Sequence, residues 1–168
     1  MSLSITALSR IGDRYITTFN PEYIGIKNQI QEYYPVLKEC KYVPEMEFTD
    51  TEIIITDRGR TLKQLRGYLS DEDKVKIKGQ IIDSLWWLYE NKIAHRDYHA
   101  KNVCWDGEQI WLIDWERVSS CEVGDIESHW DIVGSNGVGQ YVFKYGPSSI
   151  IVALHPISFT VEDLKQRA

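Results

Sequence analysis

The sequence predicts an α+β fold, and three observations carry that expectation. Two segments space their apolar residues as helices do, and a pair of β-branched and aromatic segments lies between them. A second strand–turn–strand pattern follows the longer helix. With 168 residues, 43% of them hydrophobic and 26% charged, the chain suffices for one domain with a real core and is short for two.

The elements follow in order. Asp13–Asn20, "DRYITTFN", is β-branched and aromatic and ends at Asn-Pro, which predicts a short strand and turn. Pro21 and Glu22 suit the first turn of a helix, whose face is spaced by Ile26, Ile30, Tyr33 and Leu37, with Pro35 disturbing its end. Tyr42–Phe48 and Glu52–Thr56 predict a hairpin about a turn at Thr49-Asp50, closed by Asp57-Arg58-Gly59. The run Ile53-Ile54-Ile55 is too continuous for a solvent-facing strand and is expected inside.

The longer helix opens at Ser70, where Asp71, Glu72 and Asp73 form an acidic capping turn. Ile77, Ile81, Leu85 and Leu88 then recur at helical spacing up to about Asn91. "VCW" and "IWLI" are two short strands around the turn Asp106-Gly107. Beyond Glu116 the pattern weakens into scattered glycines, with Thr160 placed to cap a short terminal helix.

Composition limits the function. A net charge of −6 supplies no basic field for nucleic acid or an anionic membrane, although a local cation could still hold a phosphate ligand. No apolar run approaches a membrane span, and no signal-peptide form opens the chain. Cys40, Cys104 and Cys121 are widely spaced without a CxxC pair, so a reducing, cytoplasmic setting is expected.

Polar residues concentrate in "IAHRDYHAKNVCWDGEQIWLIDWE", Ile93 to Glu116. His95-Arg96-Asp97 with Asn102 has the spacing of H-R-D-x-x-x-x-N, and a hairpin later a strand ends in Asp114. A carboxylate at Asp97 can accept the proton of a substrate hydroxyl. The amide oxygen of Asn102 and the carboxylate of Asp114 are hard oxygen ligands that suit Mg²⁺.

These motifs resemble the protein-kinase-like superfamily. "HRD" is typical of protein kinases, whereas "LIDWE" looks more like the choline-kinase and aminoglycoside-phosphotransferase branch. The resemblance covers roughly Glu22 to Glu116. It implies a reduced kinase-like domain, with a small partial N-lobe sheet and hinge over 1–59 and a shortened helical C-lobe over 60–168. It implies Asp97 as the catalytic base, with Lys101 and His99 as candidates to touch the transferred phosphate or the acceptor. Asn102 and Asp114 would hold Mg²⁺, and ATP would dock against Thr56, Asp57, Arg58 and Gly59. His95 would be structural, under the metal-binding segment. The partners implied are a nucleotide and a hydroxyl-bearing acceptor, protein or small molecule.

The sequence also departs from that family. Only Gly12 precedes the first expected strand, and the first dozen residues are too few for a complete glycine-rich hairpin. If "RYITTFN" is the lysine strand, its lysine position falls on Thr17 or Thr18. Arg14 is the nearest cation on that strand, and Lys27 sits on the following helix. Glu32 or Gln29 would stand at the helix glutamate position, but Glu32 and Lys27 read better as solvated helix-face charges. Trp130-Asp131 resembles the aspartate region of a later kinase helix, and Gly134–Gly139 reads as a loop.

Other readings stand beside the phosphotransferase. A pseudokinase or binding module would keep the fold without efficient catalysis. His95 and His99, four apart around Asp97, could hold zinc if they lay on a helix. Trp111 and Trp115 are expected to pack, at least one of Trp86 and Trp87 to face the core, and Tyr98 to cover the loop. A shortened lobe rich in aromatics could expose an apolar patch and form a homo-oligomer.

Overall fold

The computed structural model describes residues 5–120, together with Ile157 and Asp163. These form an α+β structure of two α-helices and small antiparallel sheets. The chain divides between Arg58 and Gly59 into two compact units.

The first unit is built on β1 (Ile5–Ile11), β2 (Arg14–Phe19), β3 (Met46–Phe48) and β4 (Glu52–Thr56) in the order β1-β2-β4-β3. Strand β1 was not among the elements expected from the sequence. It pairs antiparallel with β2 from Ile11↔Arg14 back to Ile5↔Phe19, with an irregularity between Ile5 and Ala7. The two-residue turn is possible because Gly12 takes φ 63, as the first residue of a tight hairpin turn requires. The isoleucine run of β4 lies between β2 and β3, where both edges are hydrogen-bonded and Ile53 is buried.

Helix α1 (Ile24–Leu37) follows a 3-10 turn over Pro21–Tyr23. Pro35 removes one helical N–H donor, yet the helix continues to Leu37, and Lys38 N–H closes on Tyr34 O at 2.9 Å. Ile30 and Leu37 are buried as the spacing requires. The strand expected from Tyr42 starts only at Met46. Val43 N–H turns back to Cys40 O at 3.1 Å, and Pro44 has no N–H for a ladder. Tyr42 and Val43 are nevertheless buried. Tyr34 meets Phe48 edge to face and accepts the Met46 N–H at 3.0 Å.

The second unit is organised by α2 (Asp71–Glu90). Ser70 caps it, its hydroxyl accepting the Asp73 N–H at 3.0 Å, with three acids at the positive helix end. Ile77, Ile81, Leu85 and Leu88 are fully buried, each contributing about 1.5–3 kcal/mol relative to exposure. Trp86 is buried with them.

Strands β5 (Arg60–Thr61), β7 (Val103–Trp105) and β8 (Ile110–Leu112) form a sheet in the order β5-β7-β8. Gln80 clasps the hairpin to α2, donating to Glu108 O at 3.0 Å and accepting Ile110 N–H at 2.8 Å. The expected turn is present, with Gly107 at φ 101 and Asp106 accepting the N–H groups of Glu108 and Gln109. Lastly, β6 (Ile93–Ala94) pairs with β9 (Ser119–Ser120). That bridge brings the residues after Asp114 back beside those before Asp97.

Among the described residues no helix is long and apolar enough to cross a membrane. Cys121, Trp130-Asp131, Gly134–Gly139 and the Thr160 cap lie outside the described residues.

Candidate functional site

The site is built from the loop that follows α2. Asn91 N–H closes the helix on Trp87 O, and Lys92 turns the chain at φ 55 into β6. His95 is thereby carried into the core, where its Nε2 lies 2.8 Å from Ile113 O and its Nδ1 accepts Asp97 N–H at 3.2 Å. Those two bonds require a neutral ring with its proton on Nε2. Burial pushes the His95 pKa down to about 4, only partly offset by the Ile113 bond and Asp97. Trp115 packs edge-on against this ring at 4.5 Å, itself buried, with its indole N–H on Leu112 O.

Asp97 presents a carboxylate with a donor at each oxygen. His99 Nε2 lies 3.0 Å from Oδ1, and Asn102 Nδ2 donates to Oδ2 at 3.1 Å. Asn102 also donates to the Asp97 backbone carbonyl at 2.9 Å. A 3-10 turn over Ala100–Asn102 fixes these spacings, with His99 as its N-cap accepting Lys101 N–H at 3.2 Å. Asn102 is buried and Lys101 is exposed.

Ile113 ties the second acid to this loop. Its N–H donates to Asn102 O at 3.0 Å while its carbonyl receives His95. The next residue, Asp114, stands at φ 59 and Arg96 at φ 68, two left-handed non-glycine residues in one site. Arg96 is held by a hydrogen bond from its Nε to Ser119 Oγ, across the β6–β9 bridge.

Asp114 reaches solvent, yet dense protein beside its carboxyl desolvates the charged form. That desolvation, followed by the charges of Glu116 and Asp97, pushes its pKa up to about 6. A backbone hydrogen bond from Glu116 and the Arg117 charge pull weakly the other way. The donor set fits a hard divalent cation. Asn102 spends its amide N–H groups on Asp97, which leaves the amide oxygen as its acceptor, and the charges of Glu116 and Asp97 raise the Asp114 pKa. Among the described residues, no three His, Cys, Asp or Glu side chains are arranged to hold a metal. A cation here would have one or two protein ligands, with water and phosphate completing it, as magnesium prefers.

The remaining expectations divide. His95 and His99 do not share a helix face, because the segment between them is not helical and the rings bond Ile113 and Asp97 respectively; the zinc arrangement is overturned. Tyr98 is 1% exposed, its hydroxyl 2.7 Å from Ser84 Oγ, so it packs inward against α2. Trp111 donates to Asp106 across its own hairpin. Lys27 is not solvated but only 4% exposed, its Nζ on Gln31 Oε1 at 2.9 Å, whereas Glu32 is exposed. The signal was present: Lys27 precedes Ile30 by three positions on the buried face of α1. Arg14 pairs with Glu47 at the surface of the sheet.

Of the expected nucleotide segment, Thr56 ends β4, and Asp57 pairs with Arg10 at 3.0 Å. Gly59 stands at φ 93, where a Cβ would lie 2.3 Å from Trp105 O, so this glycine has a steric reason of its own. Glu116 is the acid that the sequence reading left out; its place two residues after Asp114 was the available signal. No protein-family model and no curated protein matches the chain.

Proposed function

We propose that this chain is a phosphotransferase of kinase-like architecture that uses Mg²⁺ and ATP to phosphorylate a hydroxyl group. The observation that carries the reading is the Asp97 carboxylate, held by Asn102 at 3.1 Å on a loop bonded directly to the residue before Asp114. One carboxylate is thus oriented, and a second acid of raised pKa is fixed within electrostatic reach of it. Phosphoryl transfer depends on such positioning and charge compensation rather than on covalent chemistry by the protein.

In this reading the acceptor oxygen bonds to the γ-phosphorus and the bond to the ADP oxygen breaks. The hydroxyl proton passes to Asp97. Asn102 and Asp114 would hold Mg²⁺, which offsets charge on the phosphate oxygens. Exposed Lys101 is free to approach an anionic group, and Thr56–Gly59 would take the nucleotide. The acceptor is a protein or small-molecule hydroxyl, and the setting is the cytoplasm, where ATP is present.

A second reading is a pseudokinase or binding module. What favours it is β2, whose "RYITTF" carries threonines where the resemblance expects a phosphate-binding lysine. Calorimetric titration of ATP with Mg²⁺ and with EDTA, on wild type and Asp114→Asn, separates the two. Magnesium-dependent binding lost in the variant supports the phosphotransferase. Absence of binding under every condition moves the weight to the binding module.

A further inference from the structure

We propose that His99 is the positioning residue of Asp97, holding the carboxylate plane so that its outward lone pairs meet the acceptor hydroxyl. The catalytic consequence rests on the phosphotransferase reading; the clamp itself rests on geometry alone. Lys101 N–H donates to His99 Nδ1 at 3.2 Å, so that nitrogen carries no proton. The neutral imidazole then has its proton on Nε2, which lies 3.0 Å from Asp97 Oδ1 and donates to it. Asn102 serves the other oxygen, Oδ2, at 3.1 Å.

The last torsion of an aspartate is broad, so a carboxylate with one weak donor rocks easily. Both oxygens turn together about that torsion, so with His99 and Asn102 engaged on opposite oxygens any rotation strains both bonds at once and the plane is held more firmly. The Ala100–Asn102 turn sets the separation of the two donors, and its cap is His99 itself. Both side chains of the Asp97–His99 pair remain 27% exposed, so the clamped carboxylate is still reachable by a substrate.

A bland role competes with this one: His99 could serve only to cap the turn. Two substitutions divide the roles by atom. In His99→Gln the amide nitrogen replaces Nε2 and can still donate to Asp97, while the Lys101 cap is lost. In His99→Asn the amide oxygen replaces Nδ1 and can still cap Lys101, while the donor to Asp97 is lost.

The test has two arms, both on the full chain. Two-bond ¹H–¹⁵N spectra of histidine-labelled protein, with His99 assigned by its loss in His99→Gln, should show the Nε2–H tautomer. The His99 signals should move in Asp97→Asn. An Nδ1–H tautomer, or signals indifferent to Asp97→Asn, overturns the clamp. ADP formation from Mg-ATP is the second arm. His99→Asn should lose roughly tenfold to a hundredfold in kcat at unchanged KM for ATP, with His99→Gln close to wild type. Normal turnover in His99→Asn with loss in His99→Gln reduces His99 to a cap and overturns the positioning role. A wild type that binds no Mg-ATP and forms no ADP refutes the phosphotransferase reading instead, and the imidazole spectra still decide the clamp.

Discussion

His95 holds Ile113 by a hydrogen bond of 2.8 Å to its carbonyl, and the residue that follows Ile113 is the acid Asp114. A buried ring that is never a ligand therefore sets the backbone from which the second carboxylate projects. Substituting His95→Phe keeps much of the packing against Trp115 but leaves the Ile113 carbonyl without this donor. The expected loss is about 1–3 kcal/mol, read from urea unfolding at neutral pH. Unchanged stability would refute the role of this bond.

His95 also makes an acid-sensitive contribution. Its pKa is lowered from 6.5 to about 4 in the fold, so between those values the unfolded chain binds more protons. Stability from this group is complete above 6.5 and is lost as pH falls toward 4. Comparing wild type with His95→Phe across that range should show their difference shrinking on acidification. A difference independent of pH would contradict a neutral, buried His95.

Asp114 has the opposite sign. Its pKa is raised from 3.8 to about 6, so the folded chain holds the extra proton in that window, and stability falls as pH rises through it. Asp114→Asn removes the charge and tolerates the left-handed backbone at φ 59. The variant should be more stable than wild type at neutral pH, by no more than about 1 kcal/mol because the group reaches solvent. The gain should vanish near the acid end of the window. A variant less stable than wild type at neutral pH would show that the carboxylate stabilises the fold instead.

Lys27 offers a test of burial with no ion pair among the described residues. Its ammonium meets one amide oxygen, from Gln31, and is 4% exposed. Lys27→Met preserves length and removes the buried charge, so the melting temperature should be equal or higher. A clear fall would mean that the ammonium makes a stabilising interaction in the fold.

Gly59→Ala should be among the costlier surface substitutions. The added Cβ would meet Trp105 O at 2.3 Å, in a backbone at φ 93 that side chains avoid. A loss above about 1 kcal/mol is expected. Denaturant unfolding that matched wild type would show that the segment can move away from β7.

Much of the fold was legible because its signals are local. The Ser70 cap, the Ile77-Ile81-Leu85-Leu88 stripe and the Asp106-Gly107 turn each depend on residues within a few positions of one another, and each is present. Strand β1 was missed because "ITALSRI" has mixed polarity, and its regularity comes from pairing with β2 rather than from its own pattern. The start of β3 was misplaced because burial of Tyr42 and Val43 resembles a strand signal while Pro44 prevents the ladder.

The sequence by itself determined the α+β class, the two helices and the spacing of Asp97, Asn102 and Asp114, since periodicity, caps and turn residues act over short range. Tertiary structure alone decided that His95 reaches Ile113, that His99 addresses Asp97, and that Lys27 is buried. Tautomer, desolvation and the approach of one carboxylate to another depend on distances between atoms far apart in the chain, or on side-chain directions that spacing does not specify. Those quantities, not the motif, set the chemistry this loop can perform.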